Sequence, residues 1–557
     1  MSATQRFIAA RRILLDNRTD YEKAYREFRW PDLVDFNWAR DWFDVYAESN
    51  NKTALWLRRE GKEESKLSYL ELSERSDRVA HFLQRQGVAA GDRIVLCLSN
   101  VTAIWELMLA AMKVGAVVVP TTTLATENDI RDRLVRSGAQ IVVTEQSAME
   151  RIPADASVKR ILVGSEAEGW IPYETALNED RAYQKVNTRA TDPFLLYFTS
   201  GTTAKAKLVL HTHQSYPVGH LSTMYWIGIQ ENDIHQNISS PGWAKHAWSC
   251  FFAPWNAGAT TFAYDAPRFR AANTLRALEE VGVNTLCAPP TVWRMIILEE
   301  MGTKPRGLRE LASAGEPLNP EVIEQVEKAW GLVIRDGYGQ TETTAVVGNS
   351  PGQHVKSGSM GRPLPGYRIG LVDLEDGECD EGEVAVGLDP PPTGLMTGYL
   401  DDPEKAKLVM QNGWYHTGDL AAKDEDGYFF FVGRGDDVFK CSDYRISPFE
   451  LESVLLEHPL VAEVAIVPSA DPIRTNVPKA FVTIVGAADP TPELAREILL
   501  FAKEKLAAYK RVRKLEFHEL PKTISGKIRR AELRKMELQR VKDNQRGRLE
   551  FWLKDFE

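Results

Sequence analysis

Between Tyr69 and Pro120 the sequence alternates helical and strand patterns twice. YLELSERSDRVAHFLQRQGV has amphipathic helical spacing, RIVLCLS reads as a short apolar strand, and WELMLAAMKVGAVVVP repeats the pair. Strands separated by helices run parallel and are buried on both faces, because only a long crossover can return the chain to the same edge. The unit recurs in LRALEEVGVNTLCAPP and VIEQVEKAWGLVIRDGYG, where Gly282 and Gly331 stop the helices. These patterns restrict the chain to an α/β architecture of helix-covered parallel sheets.

After Ile369 the pattern changes. Short segments rich in Gly, Asp and Pro, such as LVDLEDGECDEGEVAVG and DEDGYFFFVGRGDD, predict the hairpins of a small β subdomain. From Pro448 the order is helix, strand, strand, helix, ending in LPKTISGKIRR, a compact α+β unit. The polar turn Gly433–Asp437 is the expected boundary. It separates a large N-terminal domain, residues 1–435, from a small C-terminal domain, residues 436–557. Two or more domains also follow from 557 residues, beyond the ~250–300 at which single cores stop growing.

With 43% hydrophobic and 26% charged residues, the chain is expected to be globular rather than disordered. A net charge of −10 gives no general attraction to nucleic acid, and the basic run from Lys503 to Arg534 reads as a solvated helical face. Cys97, Cys250, Cys287, Cys379 and Cys441 are odd in number and lack metal-ligand spacing, which fits a reducing compartment. No run of ~18 apolar residues occurs, so no membrane span is expected and the cytoplasm is the expected location. Either a monomer or a homo-oligomer is compatible with the sequence.

The residues most specific to chemistry are Tyr197-Phe198-Thr199-Ser200-Gly201-Thr202-Thr203-Ala204-Lys205-Ala206-Lys207, directly after the apolar FLLYF. Hydroxyls, backbone N–H groups and lysines in one short loop make a phosphate cradle. GxxxxGK[ST] does not fit the register of Gly201, so this is not a Walker loop.

The loop resembles the phosphate-binding signature of the adenylate-forming superfamily, which includes acyl-CoA synthetases, nonribosomal adenylation domains and firefly luciferases. Further segments resemble that superfamily's motifs in the same order. Ser313-Ala314-Gly315-Glu316-Pro317 is similar to its adenine-wall segment, and Asp336-Gly337-Tyr338-Gly339-Gln340-Thr341-Glu342-Thr343 to its adenine and magnesium segment. Tyr415-His416-Thr417-Gly418-Asp419 and Gly433-Arg434-Gly435-Asp436-Asp437 are similar to the ribose and hinge motifs, and Pro521-Lys522-Thr523-Ile524-Ser525-Gly526-Lys527 to the catalytic lysine loop. SSPGWAKHAWSCFFAPWNAGATT and DPIRTNVPKAFV bring the chain nearest to the short- and medium-chain acyl-CoA synthetases.

The resemblance implies activation of a carboxylic acid with ATP to acyl-AMP and pyrophosphate, then transfer to coenzyme A. Thr199, Ser200, Gly201, Thr202, Thr203 and Lys207 would cradle phosphate, and Gly315, Glu316, Pro317, Asp336, Gly337, Tyr338, Gly339 and Gln340 would surround adenine. Thr341 would donate to the α-phosphate and Glu342 would hold Mg²⁺ as a hard oxygen ligand. Asp419 and Arg434 would hold the ribose, and Lys527 would reach the reacting carboxylate and α-phosphate. Asp436 occupies the hinge position of a small domain that alternates between adenylation and thioester formation. Ser442, Asp443 and Tyr444 would meet coenzyme A, with Arg445 among the catalytic residues of that segment.

Where acetate-activating relatives carry a tryptophan closing the acyl pocket, this chain has Gly339, which is expected to leave space. Trp243, Ala244 and His246 fall in the segment similar to the acyl-pocket wall, which implies an acid larger than acetate, medium-chain or aryl. Trp248 reads as plain core. Two departures stand out. Ala204 and Ala206 replace the glycine and proline of the usual loop, predicting altered ATP handling, and Asp443 stands where glycine is usual at the approach of the thiol. An adenylating enzyme that passes the acyl group to an amine, another nucleophile or a separate carrier protein is the nearest alternative. A catalytically silent nucleotide-binding regulator is the alternative of another class.

Overall fold

The computed structural model describes every residue except 200–205, 267, 374, 443, 473, 487, 524–526 and 557. Of the motif residues above, Ser200, Gly201, Thr202, Thr203, Ala204, Lys205, Asp443, Ile524, Ser525 and Gly526 therefore lie outside the described residues. Contacts divide the chain into two units. The first contains Met1–Ile369, Val386–Tyr415 and Asp426–Phe429, and the second Gly370–Ala385, His416–Glu425 and Phe430–Glu557. Residue 436 thus falls inside the second unit.

The helix–strand alternation is present as expected. Ser68 caps the helix Tyr69–Arg85 through a capping box with Glu71, and the buried positions Leu72, Val79, Ala80, Phe82 and Leu83 form one apolar face. The helix Thr102–Val114 is buried from Ala103 onward and ends at Gly115, φ 74°. Its two ionic residues are paired. Lys113 Nζ meets Asp44 at 2.8 Å and Asp77 at 2.7 Å, while Glu106 accepts from Arg75 and from Tyr173. A buried charge persists only with such partners.

In the first unit, the strands Val117–Thr121, Arg93–Cys97, Ile141–Glu145, Lys159–Val163 and Ile171–Pro172 run parallel in one sheet. The hairpin Pro193–Thr199 and Lys207–Thr212 extends this sheet, with Thr199 opposite Lys207. A second sheet carries Thr53–Arg59, Thr260–Asp265, Ile234–Asn237, Thr285–Ala288, Glu310–Ala314 and Ile334–Gly339 in parallel, with antiparallel strands at both edges. Its carboxyl edge gathers the segments after Asn237, Ala314 and Gly339. Ligands of parallel sheets bind at such edges.

Three sheets lie wholly or mostly in the second unit, one of them the two-stranded hairpin Phe439–Cys441 and Tyr444–Ile446. The small β pattern expected after Ile369 appears as Ile369–Val372, Glu381–Gly387, Trp414–Lys423 and Phe429–Arg434. The α+β segment pairs Val461–Asp471, Thr475–Ile484, Lys514–Phe517 and Glu550–Trp552, with Pro448–Leu456, Pro492–Lys505 and Arg530–Lys542 as helices. Leu451, Leu455, Ile466, Val482, Ile498 and Leu515 form its core.

Candidate active site

The strands Pro193–Thr199 and Lys207–Thr212 flank the loop expected to cradle phosphate. Lys207 opens the strand Lys207–Thr212, whose outer edge pairs with Gly398–Tyr399. That pairing sets Tyr399 beside Lys207. Lys207 Nζ donates to the Tyr399 hydroxyl at 3.2 Å, and this hydroxyl donates to Glu342 Oε1 at 3.0 Å. Lys207 Nζ also lies 3.5 Å from Glu342 Oε1. Three groups far apart in sequence therefore converge, and Tyr399 is one the sequence reading missed. Its only sequence signal is the aromatic in Gly398-Tyr399-Leu400 after a glycine-rich turn.

The Gln340–Glu342 segment is pinned from several sides. The Thr341 carbonyl accepts from His211 Nε2 at 2.7 Å and from the Tyr216 hydroxyl at 3.1 Å. A carbonyl only accepts, so His211 is protonated at Nε2, and its Nδ1 pairs with Ser215 Oγ at 2.9 Å. Burial lowers the His211 pKa to about 3, which keeps the ring neutral. The Glu342 carbonyl accepts from Met396 N at 2.8 Å, and Gln340 Oε1 accepts from the Tyr415 hydroxyl at 2.9 Å. Neither His211 nor Tyr216 was singled out in the sequence, because a buried aromatic has no motif of its own.

Asp336 and Gly337 sit deep on the same strand. Asp336 accepts from the N–H groups of Gly337 and Leu318, and burial raises its pKa to about 7. At Gly337 a Cβ would lie 2.2 Å from the Trp226 ring, which explains glycine there. Gly315 adopts φ 106° in front of Glu316 and Pro317, and Glu316 lies 3.8 Å from Arg294. Tyr338 is partly buried.

The space expected beside Gly339 is absent. A Cβ there would lie 2.1 Å from the Thr344 carbonyl oxygen and 2.7 Å from the Trp248 ring. The missing side chain admits the returning strand Ala345–Gly348 and the indole, rather than a ligand. Trp248 is core, as expected, and its Nε1 donates to the Tyr216 hydroxyl at 3.0 Å. On the wall segment, Gly242 packs so closely on Thr122 that a Cβ would meet its backbone N at 2.2 Å, which fixes the turn carrying Trp243. Trp243 and Ala244 are partly exposed. His246 is buried, its Nε2 pairs with Asn100 Oδ1 at 3.0 Å beside the Trp105 ring, and burial lowers its pKa to about 3.

In the second unit, Asp419 is 4% exposed and accepts from Arg434 Nη1 at 3.0 Å. Gly418 turns at φ 76°, its carbonyl accepting from Gly435 N at 2.8 Å, and Arg434 lies 3.8 Å from Asp436. The Asp436 carbonyl also accepts from Arg534 Nη1 at 2.7 Å, which ties this residue to the helix Arg530–Lys542. Lys527 is exposed, and its carbonyl accepts from Thr523 N at 2.8 Å. The hairpin Phe439–Cys441 and Tyr444–Ile446 presents Ser442, Tyr444 and Arg445 to solvent. Tyr444 stacks on Tyr509 with ring centroids 4.2 Å apart, and the two are 51% and 40% exposed.

No group of three or more His, Cys, Asp or Glu side chains positioned for a metal occurs among the described residues, and no helix there is long and apolar enough to cross a membrane.

The sequence matches the AMP-binding enzyme family over residues 43–400 and the AMP-binding enzyme C-terminal domain over residues 450–527. It is 44% identical over 533 residues to 4-hydroxybutyrate–CoA ligase 1 of Metallosphaera sedula, spanning 93% of this chain and 94% of that protein. The fold matches the crystal structure of an acyl-CoA synthetase from Brucella canis with a TM-score of 0.71 and 34% identity, over 94% of this chain and 99% of that one. It matches a benzoate CoA ligase from Burkholderia xenovorans LB400 with a TM-score of 0.78 and 28% identity, over 90% and 100% of the two chains.

Proposed function

The chain belongs to the AMP-binding enzyme family, and we propose on that premise that it is an AMP-forming acyl-CoA synthetase for a carboxylic acid larger than acetate. A carboxylate oxygen of the acid attacks the α-phosphorus of ATP, the bond to the bridging oxygen breaks, and pyrophosphate leaves acyl-AMP behind. The thiol of coenzyme A then attacks the acyl carbonyl, giving the thioester and AMP.

The convergence of Lys207, Tyr399 and Glu342 beside Thr341 carries this reading. Attack of one anion on another needs positive charge around the transferring phosphoryl. Lys207 supplies one fixed cation, and the Thr341 hydroxyl a neutral donor. Glu342, a hard oxygen donor beside Lys207 and Thr341, fits a Mg²⁺ site of the kind that uses one protein carboxylate and completes its shell with waters and phosphate oxygens. Bound there, Mg²⁺ would neutralise phosphate charge.

Arg434 orients the Asp419 carboxylate, an acceptor suited to ribose hydroxyls. Lys527, which is exposed, serves the adenylating state, and Asp436 opens a C-terminal domain that changes orientation between the two half-reactions. The exposed Tyr444–Tyr509 pair supports coenzyme A as acceptor, since a stacking face flanked by Arg445 and Lys510 suits an adenine nucleotide. The acid's size rests on the named substrates of the relatives, 4-hydroxybutyrate and benzoate, because Gly339 adds no room. The five free cysteines support a reducing, cytoplasmic setting.

The test is pyrophosphate release across a panel from acetate to octanoate, with 4-hydroxybutyrate and benzoate, with and without coenzyme A. Release that needs acid, together with thioester formed only when coenzyme A is present, is expected. Acid-dependent release with no thioester would point to another acceptor, and no release with any acid would remove the reading.

A further inference from the structure

Lys245 brings a charge to the carboxyl edge of the second parallel sheet that the adenylation chemistry does not use. It lies in the short helix Ala244–Ala247, directly after Trp243. Its Nζ reaches across the strand ends and donates to the carbonyl of Ala314 at 2.9 Å, the last residue of the strand Glu310–Ala314. Among the described residues this is the ammonium's one hydrogen bond, and it forms no ion pair.

Lys245 is half-buried, and its ammonium has three donors to satisfy. One neutral carbonyl satisfies one of the three. Burial holds the Lys245 pKa below the usual lysine value, while the carboxylates of Asp336 and Glu316 favour the charged form without touching it. Two further polar atoms at these strand ends, Asn237 Oδ1 and Ser313 Oγ, are also buried with no partner among the described residues. Asn237 is adjacent, its side-chain amide donating to the Lys245 carbonyl at 3.4 Å. An edge with unused donors and acceptors in a parallel sheet is one that a ligand completes.

We propose that Lys245 is a specificity-determining residue whose ammonium donates to an acceptor atom on the acyl group. That acceptor is a hydroxyl, a carbonyl, a ring nitrogen or a second carboxylate. The assignment rests on the acyl-CoA synthetase reading and deepens it, making polar-substituted acids the preferred class over hydrocarbon acids of equal size. The helix carrying Lys245 is the acyl-wall segment, which favours the acid over adenine as the source of the acceptor, and ATP kinetics separate the two.

The experiment compares wild type, Lys245→Met and Lys245→Arg by acid-dependent pyrophosphate release on size-matched pairs. Suitable pairs are hexanoate with 5-hydroxypentanoate, heptanoate with 6-hydroxyhexanoate, and benzoate with pyridine-3-carboxylate. Wild type should favour the acceptor-bearing member by roughly ten- to a hundredfold in kcat/KM, the usual range for a hydrogen bond to a charged group. Lys245→Met should bring that ratio near one with the KM for ATP changed less than about twofold, and Lys245→Arg should keep part of the preference. Wild type showing no preference in any pair would overturn the proposal, even if the variants failed to fold. Equal loss of both members in Lys245→Met, or a rise in the KM for ATP, would overturn it too and assign the ammonium to the strand end or to adenine. Failure of wild type to release pyrophosphate with every acid would instead remove the underlying reading.

Discussion

The hydroxyl of Tyr399 donates to Glu342 Oε1 at 3.0 Å. Having one proton, it must accept from Lys207 Nζ at 3.2 Å. The lysine therefore orients the tyrosine, and the tyrosine orients the carboxylate proposed to hold the metal. Such a chain is worth more intact than its separate bonds suggest.

Tyr399→Phe should accordingly weaken metal-dependent adenylation while leaving the fold in place. A hydrogen bond to a charged group is worth about 1.5–3 kcal/mol, so roughly ten- to a hundredfold loss in kcat/KM for ATP is expected. Titration of pyrophosphate release with Mg²⁺ should show the loss shrinking as the metal concentration rises. A variant with unchanged Mg²⁺ dependence would show that the hydroxyl does not position Glu342.

Lys527→Ala should remove most acyl-adenylate formation and spare thioester formation from supplied acyl-AMP. The two half-reactions are assayed separately. Equal damage to both would show that Lys527 does not serve the adenylating state alone.

Gly339→Ala should harm every acid alike. The added Cβ would press on the Thr344 carbonyl oxygen, which belongs to backbone and has little freedom to yield. Overpacking of this kind costs about 1–3 kcal/mol, so a lower Tm and a parallel fall across acetate, hexanoate and benzoate are expected. A selective gain for acetate with unchanged Tm would restore the view that this glycine borders the acyl chain.

Acid should destabilise the protein through its buried histidines. Burial depresses the pKa of His211, His213, His235 and His246 to about 3, against 6.5 for the free side chain. The unfolded chain then binds more protons than the folded one between these values, so the stability from each histidine is complete above about 6.5 and is lost as pH falls toward 3. Each contributes a slope of about 1.4 kcal/mol per pH unit within that window. Asp336 opposes one of them, since its raised pKa makes the folded state the better proton binder between about 7 and 3.8. Urea unfolding from pH 7.5 to 5 should show stability falling with acid, less steeply in His246→Gln. A flat profile would mean these rings are charged or exposed in solution.

The parallel sheets were legible because each crossover helix writes its period and its stop into the local sequence, as at Gly282 and Gly331. The segments proposed to carry the chemistry are legible where polar residues cluster within one stretch, from Asp336 to Glu342 or from Thr417 to Asp419. What could not be read was convergence across distance. Tyr399 meets Lys207 only through pairing of two strands, and His211 meets Thr341 only through packing. Gly339 shows the opposite limit: an absent side chain does not reveal what fills its place, here a carbonyl and an indole. Lys245 gave no signal beside the tryptophan that precedes it by two positions, since the hydrogen bond of its ammonium depends on the end of another strand.

The most direct test of the account is the product balance of a single reaction with ATP, coenzyme A and an accepted acid such as hexanoate or benzoate. Mass spectrometry and a phosphate assay should find AMP, pyrophosphate and acyl-CoA in equal amounts, with acyl-AMP accumulating when coenzyme A is omitted. Formation of ADP and orthophosphate, or of acyl-CoA without AMP, would contradict it.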